Sequence, residues 1–158
     1  MAYNVGMPTH HQLRQERFAL IDWMATQGFS HALTLNTDRE LSAKKLKSIM
    51  STFCLEFDRG VHGRNLRRVA KSTRLHAIAF PENLSTNAHL HASADLAAAI
   101  AVLGSEGQTL TLARTCWLTA TNGAGSFDHK IAPDRGWSLY STKRFDGTYF
   151  LSADFWPH

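Results

Sequence analysis

The sequence has little of what marks several large protein classes. It holds two cysteines in 158 residues, Cys54 and Cys116, set far apart and without a CxxC pattern. That excludes a disulfide scaffold. Both are expected to be free thiols in a reducing compartment, which makes the cytoplasm the expected location. No apolar run approaches the roughly 18 residues of a membrane-crossing helix, so no membrane partner is expected. The opening stretch MAYNVGMPTHHQLRQER is polar and lacks the apolar centre of a secretory signal. Repeats, low-complexity tracts and linkers are absent too. What is present, 44% hydrophobic and 19% charged residues, is the composition of a folded chain rather than a disordered one. A chain of this length buries roughly 70% of its unfolded surface and needs no covalent staple. One domain over residues 1–158 is expected, with 1–11 as a flexible tail.

Charge is uneven along the chain. Residues 1–79 carry 12 Lys/Arg against 6 Asp/Glu, and residues 80–158 carry 5 against 7, giving +6 and −2. Arg64, Arg67, Arg68, Lys71 and Arg74 place five cations in eleven residues with no acid among them. Such a cluster attracts a polyanion and makes binding salt-dependent. It also describes a solvated basic turn, and charge alone does not choose between the two.

Hydrophobic spacing predicts a helix over 12–26 stopped near Gly28, then an alternating strand over 30–36 in which Leu33 and Leu35 face one way and Ala32, Thr34 and Asn36 the other. Ser42 is placed to cap a second helix whose stripe of Leu46, Ile49, Met50, Phe53, Cys54 and Phe57 reads as core, ended by Gly60 and Gly63. A strand over 74–80 and another over 88–92 flank a predicted hairpin loop, 81–87. Ser93 or Asp95 is expected to cap an alanine-rich third helix closed by Gly104. Strand-like pieces follow near 115–120 and 126–131, then a short helix over 135–143, and a last strand from Gly147 to Phe155. Helices and hairpins mixed in this way point to an α+β domain with an antiparallel sheet.

Chemistry concentrates in two short patterns. His89 and His91 flank Leu90 on a predicted strand, so both imidazoles share one face while Leu90 points inward. Neutral imidazoles side by side bind divalent metals. Nine histidines yield about half an H-x-H pair by chance, so the pair alone is a weak signal. Glu82, seven residues before His89 across the presumed hairpin, can fold back as a third ligand. Without the histidines it reads as a solvated loop residue. Mixed nitrogen and oxygen ligands suit Mn²⁺, whereas Mg²⁺ prefers oxygen alone. In the second pattern, Tyr140 and Lys143 stand three apart, which on a helix brings an ammonium beside a phenol. Three tyrosines and six lysines give roughly 0.1 such pairs by chance, so this one is more specific, although a half-buried tyrosine near a surface lysine produces it as well.

The order of these elements adds to them. Ala32-Leu33-Thr34-Leu35-Asn36 is followed by Phe80-Pro81-Glu82, then His89-Leu90-His91, then Tyr140-Ser141-Thr142-Lys143. This arrangement resembles the nicking domain of rolling-circle replication initiators, the HUH endonuclease superfamily in its single-tyrosine form, over residues 30 to about 155. The first motif departs from the family pattern in having no aromatic directly before its threonine. The lysine near Tyr140, in place of a glutamine, favours replication initiators over single-tyrosine transposases or relaxases.

The resemblance implies an RNA-recognition-like fold, a five-stranded antiparallel sheet with packed helices and a metal site on its central strands. It implies that His89, His91 and Glu82 hold Mn²⁺ or Mg²⁺ and that Tyr140 attacks single-stranded DNA to leave a 5′-phosphotyrosine. Lys143 would then position the phosphate or the tyrosyl oxygen, and the basic cluster would hold DNA. No helicase domain fits in the 15 residues after Lys143, so unwinding would come from a separate helicase, or the chain is a piece of a longer one. Two other classes stay open: a non-catalytic single-stranded nucleic-acid binding module, and a hydrolytic metal phosphoesterase. Against the latter, His31 and His76 lack a serine or threonine two residues on.

Overall fold

In the computed structural model, which describes residues 6–157, the alternation read from the sequence becomes an antiparallel sheet. Its strands are β1 (His31–Asn36), β2 (His76–Glu82), β3 (His89–Asp95), β4 (Ser126–Ile131) and β5 (Phe150–Leu151), in the order β4-β1-β3-β2-β5. The helices are α1 (His10–Ala25), α2 (Ala43–His62), α3 (Ala97–Leu103), α4 (Glu106–Ala120) and α5 (Arg135–Ser141). The protein is therefore α+β with a five-stranded antiparallel sheet. No helix among the described residues is long and apolar enough to cross a membrane.

The central strand β3 is buried on both faces, and the two faces are covered differently. Leu33, Leu35, Leu90 and Ala92 meet the apolar stripe of α2 and the buried side of α4, including Phe53, Phe57 and Trp117. On the other face α1 and the segment after α5 enclose a small cluster built on Met24, Ile78 and Phe80. Cys54 and Cys116 are free and buried in the larger core. Burial pushes both thiols up, and a carboxylate near each, Asp58 for Cys54 and Glu56 for Cys116, adds to the effect; Cys116 reaches about 11.

Several expectations need correction. Residues 9–11 are not tail: Thr9 caps α1 in a capping box with Gln12, and the helix begins at His10. Residues 1–5 of the expected tail lie outside the described residues. Gly60 does not end α2. It lies inside the helix where a Cβ would come within 2.7 Å of Leu112 Cδ1, so its bare backbone lets α2 approach α4. The helix stops at Gly63, whose φ of 87° suits glycine. Neither Ser93 nor Asp95 is the cap of α3. Ser93 belongs to β3, the cap position is Leu96, and Asp95 accepts only from the N–H of Ala97.

Residues 115–120 are helical, not a strand. Their β-prone side chains mislead, because Thr109, Ala113, Cys116 and Trp117 are buried at helical spacing on α4. The final strand shrinks to two residues. Ser152 Oγ takes the N–H of Ala77 (2.9 Å) and donates to Leu75 O (2.8 Å), so a side chain replaces the backbone ladder and the chain coils into a 3₁₀ turn, Ser152–Phe155. Pro81 and Glu82 belong to β2 rather than to a hairpin loop. Since β5 pairs only with Ile78 and Ala79, β2 is an edge beyond them, which is where a sheet tolerates proline.

Candidate metal centre and nucleophile

Register decides which side chains meet. Glu82 pairs with His89 and Phe80 with His91 across β2 and β3, while Thr34 and Asn36 of β1 pair with His91 and His89. Directly opposed residues of an antiparallel pair point to the same face, and so do residues two apart. Glu82, His89, His91, Thr34 and Asn36 therefore share the face opposite the large core. One ligand atom from each of Glu82, His89 and His91 falls within 4.8 Å of the others.

The electrostatics of this cluster suit a cation. Burial raises the Glu82 pKa, but the hydrogen bond and charge of Lys143, with the two histidines, outweigh it and hold the carboxyl below its usual range. Burial pushes His91 down to about 4, with His89 acting in the same sense and Glu82 opposing. At neutral pH Glu82 is ionised and His91 is neutral with a lone pair to offer. His89 is oriented by its Nδ1, 2.9 Å from Asn87 O, which leaves Nε2 directed toward the cluster.

His91 Nε2 lies 3.1 Å from Glu82 Oε2, yet this buried nitrogen has no hydrogen-bond partner. Proximity without alignment does not satisfy a donor or acceptor. An orphaned buried nitrogen beside a second imidazole and a carboxylate fits a divalent metal, Mn²⁺ better than Mg²⁺ by donor type.

Tyr140 sits on α5, half exposed, with its ring edge-on to His91 at 5.0 Å between centroids. Lys143 is not in the helix as expected; it follows in the closing turn, where the chain folds back. From there its Nζ reaches 3.7 Å from the Tyr140 ring centroid and 2.9 Å from Glu82 Oε2. One ammonium thus touches both the tyrosine and the carboxylate.

A seven-residue helix does not hold this position unaided. Asp134 caps α5 by accepting from the N–H of Trp137 (2.8 Å), and Trp137 Nε1 donates to Ser93 Oγ on β3 (3.1 Å). From α1, Arg17 donates to Thr142 Oγ1 (3.0 Å) and Leu139 O (2.9 Å), and Asp22 pairs with Arg135 at 3.2 Å. The sequence does not single out Arg17 or Trp137 and marks Ser93 only as a helix cap, because the contacts join residues 44 to 125 apart. The only local signal was the Asp134 cap. Thr34, which the sequence places only on one face of a strand, has its Oγ1 3.5 Å from His91 Nδ1.

The basic cluster lies elsewhere. It joins α2 to the start of β2, whereas Glu82 ends that strand, about 20 Å away along seven residues. Arg64 is exposed just before two 3₁₀ turns there, Leu66–Arg68 and Lys71–Thr73, and Arg67, Arg68 and Lys71 are exposed on them. Arg74 is a correction to the expected DNA-holding set. It is buried, it donates to the carbonyls of Leu66 and Val69, and its guanidinium lies over Trp156. Its charge helps hold a loop and is not offered to solvent.

Compared with family models, curated proteins and solved structures, the chain gives no match.

Proposed function

We propose that the protein nicks and rejoins single-stranded DNA by tyrosine transesterification in the cytoplasm, as a nicking domain of the HUH type with an RNA-recognition-like fold, and so initiates rolling-circle replication of a plasmid, virus or mobile element. The observation that carries this reading is the convergence of Glu82, His89 and His91 on one sheet face with Tyr140 against His91 and Lys143 against both Tyr140 and Glu82. Carboxylate, imidazoles, phenol and ammonium come from β2, β3, α5 and the turn after it.

Glu82, His89 and His91 would hold the metal, Mn²⁺ or Mg²⁺. When bound it supplies Lewis-acid neutralisation of the charge that grows on the phosphate oxygens. The chain's own residues do the rest. Tyr140 Oη bonds to the scissile phosphorus and sheds its proton to water, for which its half-exposed position leaves access. The P–O3′ bond breaks with its electron pair on O3′, which takes a proton from water. The products are a 5′-phosphotyrosine and a free 3′-hydroxyl, and the reverse attack by a 3′-hydroxyl rejoins strands without a nucleotide cofactor. Lys143 Nζ, already beside the phenol, offers positive charge to the tyrosyl oxygen or the phosphate. His91 stays neutral and keeps the ring of Tyr140 edge-on. Duplex ends and origin hairpins would be opened by a separate helicase.

Labelled single-stranded DNA incubated with the protein and Mn²⁺ tests the reading. A protein–DNA adduct surviving SDS, mapped to Tyr140, is the expected result. Cleavage without an adduct points to a hydrolytic phosphoesterase, and binding without cleavage points to a non-catalytic module; either outcome overturns the proposal.

A further inference from the structure

Beside Tyr140, away from the metal ligands, the same sheet face opens into a groove of about 540 Å³ floored by β1 and β4 and walled by α5. Ala32 pairs with Lys130 and Thr34 with Asp128, so these four side chains point into the face that carries His91. Ala32 is small enough to leave the floor low. Trp137 and Tyr140 form the wall, their rings 5.7 Å apart and tilted by 36°.

The contents of the groove restrict what it takes. Flat aromatic walls favour a planar ring, and base–aromatic stacking is sequence-tolerant. Around the groove stand two carboxylates, Asp128 and Asp134, against one ammonium, Lys130. Asp134 is engaged, since its Oδ1 caps α5, whereas Asp128 projects from an exposed position on an edge strand. A phosphate would be repelled by this pair of acids. A base edge that pairs an amino group with a ring nitrogen or carbonyl is served by Asp128 as acceptor and by Lys130 or Thr34 as donor. Asp128 lies two strands from His91, about 10 Å at the usual strand spacing. A nucleotide whose phosphate is at Tyr140 would carry its base toward that spot.

We propose that this groove is a nucleobase subsite for the nucleotide flanking the scissile phosphate, and that Asp128 gives it a preference for bases bearing an exocyclic amine, cytosine and adenine among them, over thymine, which has none. The inference rests on the reading of Tyr140 as the nucleophile on single-stranded DNA.

The test uses the full chain with ten-residue oligonucleotides of dC, dA or dT and one dC oligonucleotide with a central abasic site. Binding is read by fluorescence anisotropy with EDTA present, and adduct formation separately with Mn²⁺. Binding of dC and dA tighter than dT by about tenfold is expected, the size of one good base-edge contact. Asp128→Asn, whose amide can turn to accept from an amine or donate to a carbonyl, should cancel the preference, and Trp137→Leu should make the abasic strand bind as well as its parent. Should Trp137→Leu unfold the chain, Asp128→Asn at an exposed position still decides. Adduct formation with no preference in the wild type, or with a preference that survives Asp128→Asn, overturns the subsite and leaves nicking intact. A preference lost in Asp128→Asn without any adduct leaves a base-selective groove and removes the nuclease reading. Failure to bind any of the strands overturns both.

Discussion

On the face of the sheet that meets α2 and α4, β1 and β3 present Leu33, Leu35, Leu90 and Ala92, all buried in one continuous apolar core. On the opposite face the same two strands present Thr34, His89, His91 and Ser93, and the apolar cluster there is built on three buried residues, Met24, Ile78 and Phe80. Two strands with one backbone thus serve two purposes. Stability is concentrated where helices cover the sheet with aliphatic and aromatic side chains, and reactive groups are concentrated where cover is thin and polar. An imidazole with an unpaired buried nitrogen costs free energy, and the large core offsets that cost from the other side of the same strand.

The contrast breaks most visibly in paired substitutions. Trp117→Ala or Phe53→Ala, both fully buried on the core face, should lower unfolding free energy by about 3–5 kcal/mol, measured by urea titration. Tyr140→Phe, at a side chain half exposed, should move it by no more than about 0.5 kcal/mol while abolishing the SDS-stable adduct. If the tyrosine proves as costly to stability as the tryptophan, the division of labour between faces is wrong.

Substituting His91 sharpens the same comparison. His91→Ala leaves Glu82 without its nearest imidazole and should eliminate Mn²⁺ binding, read by titration calorimetry, with a stability loss well below that of Phe53→Ala. Removing the metal with EDTA should likewise stop adduct formation without unfolding the chain, followed by circular dichroism. An intermediate effect is expected at Arg17. Arg17→Met loses two hydrogen bonds to the end of α5 and should slow adduct formation about tenfold, equivalent to about 1.4 kcal/mol of lost positioning. Metal affinity should not change. Arg17→Lys, keeping one donor, should recover part of the rate.

The smallest expected effect belongs to the core face. Asp58 is buried and accepts from the N–H of Leu75 at 2.7 Å. Burial raises its pKa, with that hydrogen bond and the charges of His62 and Arg74 opposing. A carboxyl whose folded pKa is raised takes up a proton on folding. Its stabilising share is therefore full below the ordinary carboxyl range and is lost as pH rises through the raised value. Asp58→Asn removes that titration, so the stability of the wild type relative to the variant should decline from acidic toward neutral pH. A flat difference would show the carboxyl to be as well solvated folded as unfolded.

Local patterns made part of this legible. The alternation of β1, the apolar stripe of α2 with Ser42 as its cap, and the His-Leu-His spacing on β3 each lie within one element, and periodicity alone carries them. The register that sets Glu82 opposite His89 was not legible, because a hairpin loop of uncertain length hides which residues face each other. Residues 115–120 were misread because threonine, cysteine and tryptophan are strand-prone while their burial pattern is helical, and only the packing of Trp117 against Phe53 resolves the two. Arg74 looked like one cation among five. Burial, invisible in a charge count, sets it apart.

The clasp between α1 and α5 has a consequence for motion. A helix of two turns does not persist in isolation, so α5 is held in its seat by Arg17 and the Asp22–Arg135 pair from α1 and by Trp137 on Ser93 of β3. The two helices are then expected to open together as one unit, with the Trp137–Ser93 hydrogen bond to β3 breaking as α5 leaves the sheet. Amide hydrogen exchange would register this as matched protection in α1 and α5, lower than that of β3. Because Tyr140 belongs to that unit, each opening would lift its phenol off the sheet and each closing would return it, and under the proposed nicking reaction a covalently attached strand end would ride along.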